Sequence, residues 1–181
     1  IEFEAPITEV WPPEHHTRIL FDSPLSKSDP KKYIREVLSR FMSRAYRRPA
    51  ATEEVNRFVK VYELLKPELG TIEATMRETL AMVLVTPQFL LHTKADGEVT
   101  GHEFELASAL SYFLWGSMPD VELLELASSG YLNDPAVLAK QVRRMLADPR
   151  SNDFVSNFAN QWLSLSKMKT VPINQDLFPR F

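Results

Sequence analysis

Apolar residues recur at helical spacing along most of this chain, and prolines stand where several of the helices are expected to begin. From Pro30 to Pro49 the apolar residues return every three to four positions, which is the period of an amphipathic helix. Pro30 stands where a first turn tolerates proline, and Pro49 is predicted to stop the helix. The residues of this first stripe are Tyr33, Ile34, Val37, Leu38, Phe41, Met42, Ala45 and Tyr46.

Two more helices are predicted before a polar stretch. Thr52 is placed to cap the second helix, and the third covers about Ile72 to Val85. The segment TKADGEVTG at residues 93–101 then interrupts the apolar pattern, and its composition is typical of a loop. We therefore expect a domain boundary there.

Four helices are predicted beyond this boundary. Thr100 and Glu103 match a capping box for a fourth helix from about His102 to Trp115. The fifth, sixth and seventh helices are each expected to have a proline in the first turn beside an aspartate: Pro119 with Asp120, Pro135 with Asp134, and Pro149 with Asp148, the last as an N-cap. Trp115 and the seventh stripe are expected in the core, this stripe being Phe154, Val155, Phe158, Ala159, Trp162 and Leu163.

These patterns predict an all-α protein of about seven helices in two packed helical subdomains. Residues 29–93 form the first subdomain and residues 100–181 the second, which we expect to be truncated at its C-terminal end. Residues 1–28 are expected to be the tail of a preceding β-rich region and a linker, because IEFEAPI alternates like a short strand and WPPEHH breaks it.

The composition excludes several function classes. The chain has no cysteine, so it cannot form disulfides, thiolate metal sites, a cysteine nucleophile or a CxxCH haem attachment. Its apolar runs are too short for a membrane span. The four histidines, His15, His16, His92 and His102, form no HxxxH or HExxH pair, so we expect no metal ligands in this chain.

Other polar and aromatic residues fit structural roles. Glu122 and Glu125 stand three residues apart, but carboxylates near a helix N-terminus are favourable without any catalytic role. Arg143, Arg144 and Arg150 fit a salt-bridged framework. A sugar-stacking platform would need exposed rings, whereas the tryptophans on apolar faces are expected to be buried. We predict no catalytic or cofactor-binding residues.

Four arginines form the most distinctive charged pattern. Arg40, Arg44, Arg47 and Arg48 lie at i, i+4, i+7 and i+8, on one side of a helix. Residues 30–60 hold nine Lys or Arg and three Glu, whereas residues 95–139 hold no Lys or Arg and eight Asp or Glu. The stripe could dock the first subdomain on the second, or bind an anionic polymer. We favour docking, because the complementary acidic block is in the same chain.

Several motifs resemble a family of planctomycete proteins. These relatives are large, exported, multi-domain chains that often carry a cytochrome-c-like haem domain, and the similarity covers about Asp29 to Phe181. It implies two consecutive helical domains of unknown function, export, and haem elsewhere in the full-length protein. The motifs are FMSRAYRRPAATEEV (41–55), ETLAMVLVTPQFLLH (78–92), LSYFLWGSMPD (110–120), QVRRMLADPR (141–150) and NFANQWL (157–163).

The residues and the resemblance together favour a non-catalytic helical scaffold or interaction module within a larger exported protein. Its expected partners are neighbouring domains of the same polypeptide, with a polysaccharide or a redox partner beyond them; nucleic acid is not expected. One alternative is part of a polysaccharide- or redox-related enzyme whose site is completed by other segments. A second is polyanion binding through the basic helix.

Overall fold

The structure, a computed structural model, describes residues 10–91 and 99–168. Side chains at residues 99–101, 153, 155, 157, 159, 166 and 168 lie outside this description. The described residues form eleven helices and no strand, which confirms the all-α prediction. Seven of these helices have eight or more residues and the other four have four each. The chain divides into two compact units, residues 1–93 and residues 94–181.

Three long helices build the first unit. Helix α4 packs against α5 and α3, so that their apolar stripes face one another. The buried core comes from α3, α4 and α5, with Met42, Tyr62 and Met76 among its members. The helices of this unit are α1 (Glu14–Thr17), α2 (Leu25–Ser28), α3 (Pro30–Tyr46), α4 (Thr52–Leu69), α5 (Ile72–Leu84) and α6 (Pro87–Leu90).

Residues 10–28 differ from the predicted β-rich tail and linker. They contain the helical turns α1 and α2, and the apolar residues 19–21 and Leu25 between and within these turns pack on the unit's core. The Tyr33 hydroxyl donates to the Phe21 carbonyl oxygen at 3.0 Å, which fixes this segment against α3. The alternating residues on which the strand prediction rests fall in 1–9, outside the described residues.

Helix α3 ends three residues before the proline that was predicted to stop it. Arg47 follows Tyr46 with a φ of 58°, in the left-handed conformation that usually belongs to glycine at this position. The Arg47 N–H donates to the Arg44 carbonyl oxygen, and the Arg48 N–H donates to the Ser43 carbonyl oxygen, both at 3.2 Å. This Schellman geometry ends the helix before Pro49 is reached.

The Arg47 side chain explains why an arginine can occupy this position. It is 6% exposed, and its guanidinium donates to the backbone carbonyl oxygens of Gln88, Phe89 and Leu91 at 3.2–3.3 Å and to that of Ala45 at 3.2 Å. The first three carbonyls belong to the end of α6, where backbone acceptors have no partner within the helix. Arg47 therefore joins the end of α3 to the end of α6.

The second unit contains five helices within residues 99–168. Helix α7 packs against α8, α9 and α10 and contributes Phe104, Ala107, Leu114 and Trp115 to the core. Residues from the other helices and from a turn complete it, namely Leu123, Ala127, Leu132 and Met145. The helices are α7 (Val99–Trp115), α8 (Val121–Ser128), α9 (Pro135–Ala147), α10 (Ser151–Trp162) and α11 (Leu165–Met168).

The starts of α8 and α9 follow their aspartates more closely than their prolines, whereas the start of α10 follows neither. Asp134 caps α9, and Pro135 is its first residue, as predicted. Asp120 caps α8 by accepting from the Leu123 N–H at 3.0 Å, so Pro119 precedes the cap and is not in the first turn. Helix α10 begins at Ser151, two residues after Pro149, so the prediction for its first turn is wrong by two residues. The N-cap predicted for it is also wrong, because Asp148 is the C-cap of α9.

Two of the other predicted helix starts are also different. Helix α4 begins at Thr52 itself, with Ala51 as the N-cap, and the Glu54 carboxylate accepts from the Ala51 N–H at 2.8 Å. The capping role predicted for Glu103 is wrong, because its buried carboxylate accepts from the backbone and side-chain N–H groups of Asn133. Glu103 thus ties α7 to the α8–α9 turn.

The Arg47 contact gives a direct stability test. Replacing Arg47 with Ala should lower the free energy of unfolding by about 2–3 kcal/mol, because several charged hydrogen bonds to partly buried carbonyls are lost. Arg47→Lys should restore only part of the loss, since lysine lacks the planar fork that reaches several carbonyls. Urea unfolding followed by circular dichroism measures both changes.

Arg44→Ala is the matched control, because Arg44 lies three residues earlier, in the last turn of α3, and its side chain is exposed. It should change the free energy of unfolding by less than about 0.5 kcal/mol. Equal losses for the Arg44 and Arg47 variants would contradict the role assigned to the Arg47 contact.

Candidate functional site

The four arginines of the predicted stripe have different surroundings. Arg40 and Arg44 are exposed, and the Arg40 guanidinium carbon lies 4.2 Å from the centre of the Phe21 ring. Arg47 is buried in the contact described above, and Arg48 forms a two-pronged pair with the Glu54 carboxylate at 2.7 and 2.9 Å. Three members are therefore engaged inside the first unit, since Arg40 also lies 4.0 Å from the Glu36 carboxylate. Docking or polyanion binding by the exposed Arg40 and Arg44 stays a prediction.

A denser group of polar side chains surrounds Trp115 in the second unit. The Trp115 ring is 2% exposed, and its indole N–H donates to the Met145 carbonyl oxygen at 3.0 Å. The Arg150 guanidinium carbon lies 3.4 Å from the ring centre, and that of Arg144 lies 5.5 Å away. Asp148 accepts from Arg150 at 2.7 and 2.9 Å, which fixes the cation over the indole face.

Arg144 connects this tryptophan to the start of α8. Its guanidinium donates to the Asp120 carboxylate at 2.6 and 3.2 Å and to the Gln141 side-chain oxygen at 2.7 Å. The Gln141 amide nitrogen in turn donates to Glu122 at 2.8 Å. We call the complete set the Trp115 cluster: Trp115, Asp120, Glu122, Gln141, Arg144, Asp148 and Arg150.

The electrostatics of the Trp115 cluster favour a structural role. Burial alone would raise the pKa of Asp120, but the hydrogen bonds from Arg144 and from the Leu123 N–H hold it below its ordinary value. Hydrogen bonds from Arg150 lower the pKa of Asp148 to about 2. General acid–base catalysis favours a pKa near the working pH, and these shifts move both carboxyls away from neutrality. The cluster is therefore suited to holding α7, α8 and α9 together. This is the structural role predicted for the arginines of the salt-bridged framework.

A row of aromatic rings lies on α7 and α10 of the same unit. Phe154 and Phe158 stack with their ring centres 5.2 Å apart, and Phe158 and Trp162 stack at 5.8 Å. Phe113 of α7 joins the row at 4.9 Å from Phe154 and 6.4 Å from Phe158. We call these four residues the aromatic ridge.

The prediction that the seventh stripe is buried is wrong for Phe158, Trp162 and Leu163, whereas the side chains of Val155 and Ala159 lie outside the description. Phe113, Phe158 and Trp162 are 59%, 45% and 74% exposed, whereas Phe154 is partly covered by the core. An apolar period shows that one face of a helix is apolar, but it does not show what covers that face. The sequence shows that Phe154, Phe158 and Trp162 lie at i, i+4 and i+8, but it does not show which of these rings are exposed.

The remaining sequence candidates do not converge in the described part of the chain. His15 and His16 lie in the short helix α1. Within residues 10–91 and 99–168, no three His, Asp or Glu side chains are grouped as metal ligands would be. Nor does any helix in these ranges have the length and apolar character to cross a membrane.

Two protein-family models match this chain, one in its first half and one in its second. Residues 33–93 match the family described as PSD5, protein of unknown function (DUF1595). Residues 102–181 match the family described as PSD4, protein of unknown function (DUF1592). The chain carries two consecutive domains of unknown function. No curated protein and no solved structure shows a significant match.

The features described above divide between these two domains. Arg47 and the carbonyls that it contacts fall in the DUF1595 domain, and the Trp115 cluster and the aromatic ridge fall in the DUF1592 domain. The DUF1592 domain therefore combines a fixed polar framework with an exposed apolar surface.

The charge pair in the Trp115 cluster predicts a pH dependence of stability. Because the folded-state pKa of Asp120 is lower than its ordinary value of 3.8, its stabilisation is complete above that value and is lost as the pH falls through the folded-state pKa. Asp120→Asn should lower the free energy of unfolding at pH 7 by about 1–2 kcal/mol. It should also flatten the fall in stability below about pH 4. Asparagine remains a good N-cap, so this change isolates the charge.

Glu125→Gln provides the control, since Glu125 is an exposed carboxylate in the same helix. Its unfolding profile between pH 2 and 7, measured by urea titration, should match that of the unaltered chain. Identical profiles for the Asp120→Asn and Glu125→Gln variants would exclude the assigned role of Asp120.

Proposed function

We propose that these two domains form a non-catalytic helical interaction module within a larger exported polypeptide that also carries haem. The observation that carries the proposal is the pairing of a fixed framework with the exposed aromatic ridge in one domain. Exposed apolar area of this kind marks surfaces that meet other proteins. The motifs shared with exported, haem-containing planctomycete proteins support the cellular context.

The framework supports the proposal because it fixes α7, the helix from which the Phe113 ring of the ridge projects. Trp115 is the last residue of α7, only two positions after Phe113, and its indole is held by α9 through the Met145 carbonyl. Arg144 of α9 is bound to the cap of α8. Contact surfaces on helices held in this way lose little conformational freedom when a partner binds, which favours affinity.

The stacking pattern indicates a protein partner more than a sugar. Phe158 stacks against Phe154 on one side and Trp162 on the other, with interplanar angles of 22° and 26°. The central ring is therefore engaged by two neighbouring rings of the same helix, which leaves less of it for a sugar than a lone exposed ring would offer. A row of residues at i, i+4 and i+8 is the kind of ridge that fits the groove of another helix.

Cysteine labelling in the full-length polypeptide tests the proposal. The chain has no cysteine of its own, so single cysteines can be introduced at Gln161 and Asn160, both exposed on α10. Gln161 is three residues from Phe158 and shares its face, whereas Asn160 is two residues away and faces elsewhere. We expect maleimide to react with Gln161→Cys at least about 10-fold more slowly in the full-length protein than in peptides, with peptide mass spectrometry as the readout.

Asn160→Cys is the matched control and should react at nearly the same rate in both settings. If Gln161→Cys reacts as fast as Asn160→Cys in the full-length protein, nothing covers the ridge and the interaction module is the wrong function.

A further inference from the structure

We infer that helices α3 and α4 of the first unit present a basic surface that binds an acidic polysaccharide. This inference goes beyond the proposed function, because it concerns the DUF1595 domain and a surface other than the aromatic ridge. We call the surface the α3–α4 basic face and define it by four exposed cations, Lys32, Arg35, Arg57 and Lys60.

Two contacts show how the two helices are aligned. The Lys31 ammonium lies 3.5 Å from the Glu63 carboxylate, and the Arg35 guanidinium donates to the Asn56 side-chain oxygen. Rising residue numbers on α3 therefore meet falling numbers on α4, so the helices run antiparallel. Lys60 lies between Asn56 and Glu63 on the same side of α4, because the three stand at i, i+4 and i+7. Lys60 is therefore opposite the turn from Lys31 to Arg35.

This alignment brings like charges together across the two helices. Lys32 belongs to the turn of α3 that meets Lys60, and Arg57 lies one turn before Lys60 on α4. Among the described residues, neither Lys32 nor Lys60 forms an ion pair or a side-chain hydrogen bond. Neighbouring cations without counter-charges raise the local positive potential, which attracts anionic groups.

The carboxylates of α3 and α4 do not neutralise this face. Glu53, in the first turn of α4, forms no ion pair in the described part of the chain. Three other carboxylates lie beside cations outside the face: Glu36 beside Arg40 at 4.0 Å, Glu54 beside Arg48 at 2.7 Å and Glu63 beside Lys31 at 3.5 Å. The cations of the face are therefore available to an anionic ligand.

The surroundings of the face favour an acidic sugar chain over a nucleic acid. Ammonium and guanidinium groups bind carboxylate and sulfate through charge-assisted hydrogen bonds. Proteins that bind single-stranded nucleic acid add aromatic side chains on which the bases stack. None of the aromatic residues of α3 and α4 is exposed, these being Tyr33, Phe41, Tyr46, Phe58 and Tyr62. The face therefore suits a polymer that is recognised by its charge alone.

Fluorescence anisotropy of labelled polysaccharides with the 181-residue chain tests the inference. Polygalacturonate and dextran sulfate supply carboxylate and sulfate groups respectively, and at least one of them should bind. Its dissociation constant should rise about 10-fold or more between about 50 and 200 mM salt, because salt screens the contacts. Neutral dextran should not bind.

Replacing Lys32 and Lys60 together with Gln should raise the dissociation constant of the bound polysaccharide about 10-fold or more. The double variant should also show a weaker salt dependence, because fewer counterions are released on binding. Circular dichroism melting verifies that the variant is folded.

The matched control replaces Arg18 and Arg77 together with Gln. Both are exposed cations of the same unit outside α3 and α4, so this variant loses the same net charge. Its dissociation constant should change less than about 2-fold, because exposed charges beyond a screening length contribute little.

Three outcomes would overturn the inference. Equal losses for the two double variants would show that net charge, and not the α3–α4 basic face, holds the polymer. Tighter binding of duplex DNA than of either polysaccharide at the same salt would assign the face to nucleic acid. Failure of both polysaccharides to bind at about 50 mM salt would leave the face without the ligand inferred for it.

Discussion

Each helical unit depends on an arginine that reaches the end of another helix. In the first unit, the Arg47 guanidinium donates to three carbonyl oxygens at the end of α6. In the second, Arg144 binds the aspartate that caps the start of α8. Both α6 and α8 are short, and short helices gain little stability from their own hydrogen bonds. The arginines supply the long-range contacts that fix their ends.

The two arginines bind different kinds of acceptor. Arg47 meets partial negative charge on free carbonyls, so it needs no carboxylate partner at the end of α6. Arg144 instead meets a full negative charge on Asp120, whose other contact is the Leu123 N–H at the start of α8. Only the second contact loses its charge pairing in acid, because backbone carbonyls do not titrate in that range. Acid should therefore weaken the second unit's framework without touching the Arg47 contact.

Most of the helical fold could be predicted from the sequence, whereas the roles of individual side chains could not. The period of the apolar residues gives the long helices, and aspartates beside prolines locate their starts within about two residues. Arg44 and Arg47, however, have the same chemistry and neighbouring positions. What separates them is a left-handed backbone at residue 47 and the approach of α6, and neither is encoded in local spacing. The spacing of the four arginines therefore does not show which of them is buried; only the tertiary contacts do.

The two tryptophans of the second unit also show that sequence spacing does not determine the role of a side chain. Trp115 and Trp162 each end a helix with an apolar face, so sequence spacing treats them alike. Trp115 is buried under Arg150 with its N–H satisfied, while Trp162 is exposed at the end of a stacked row. The first fixes α7 against α9, and α7 also carries Phe113 of the ridge. Because the buried ring stabilises the helix that presents an exposed one, loss of the Trp115 contacts should weaken the partner binding that we propose for the ridge, without altering any residue on that surface.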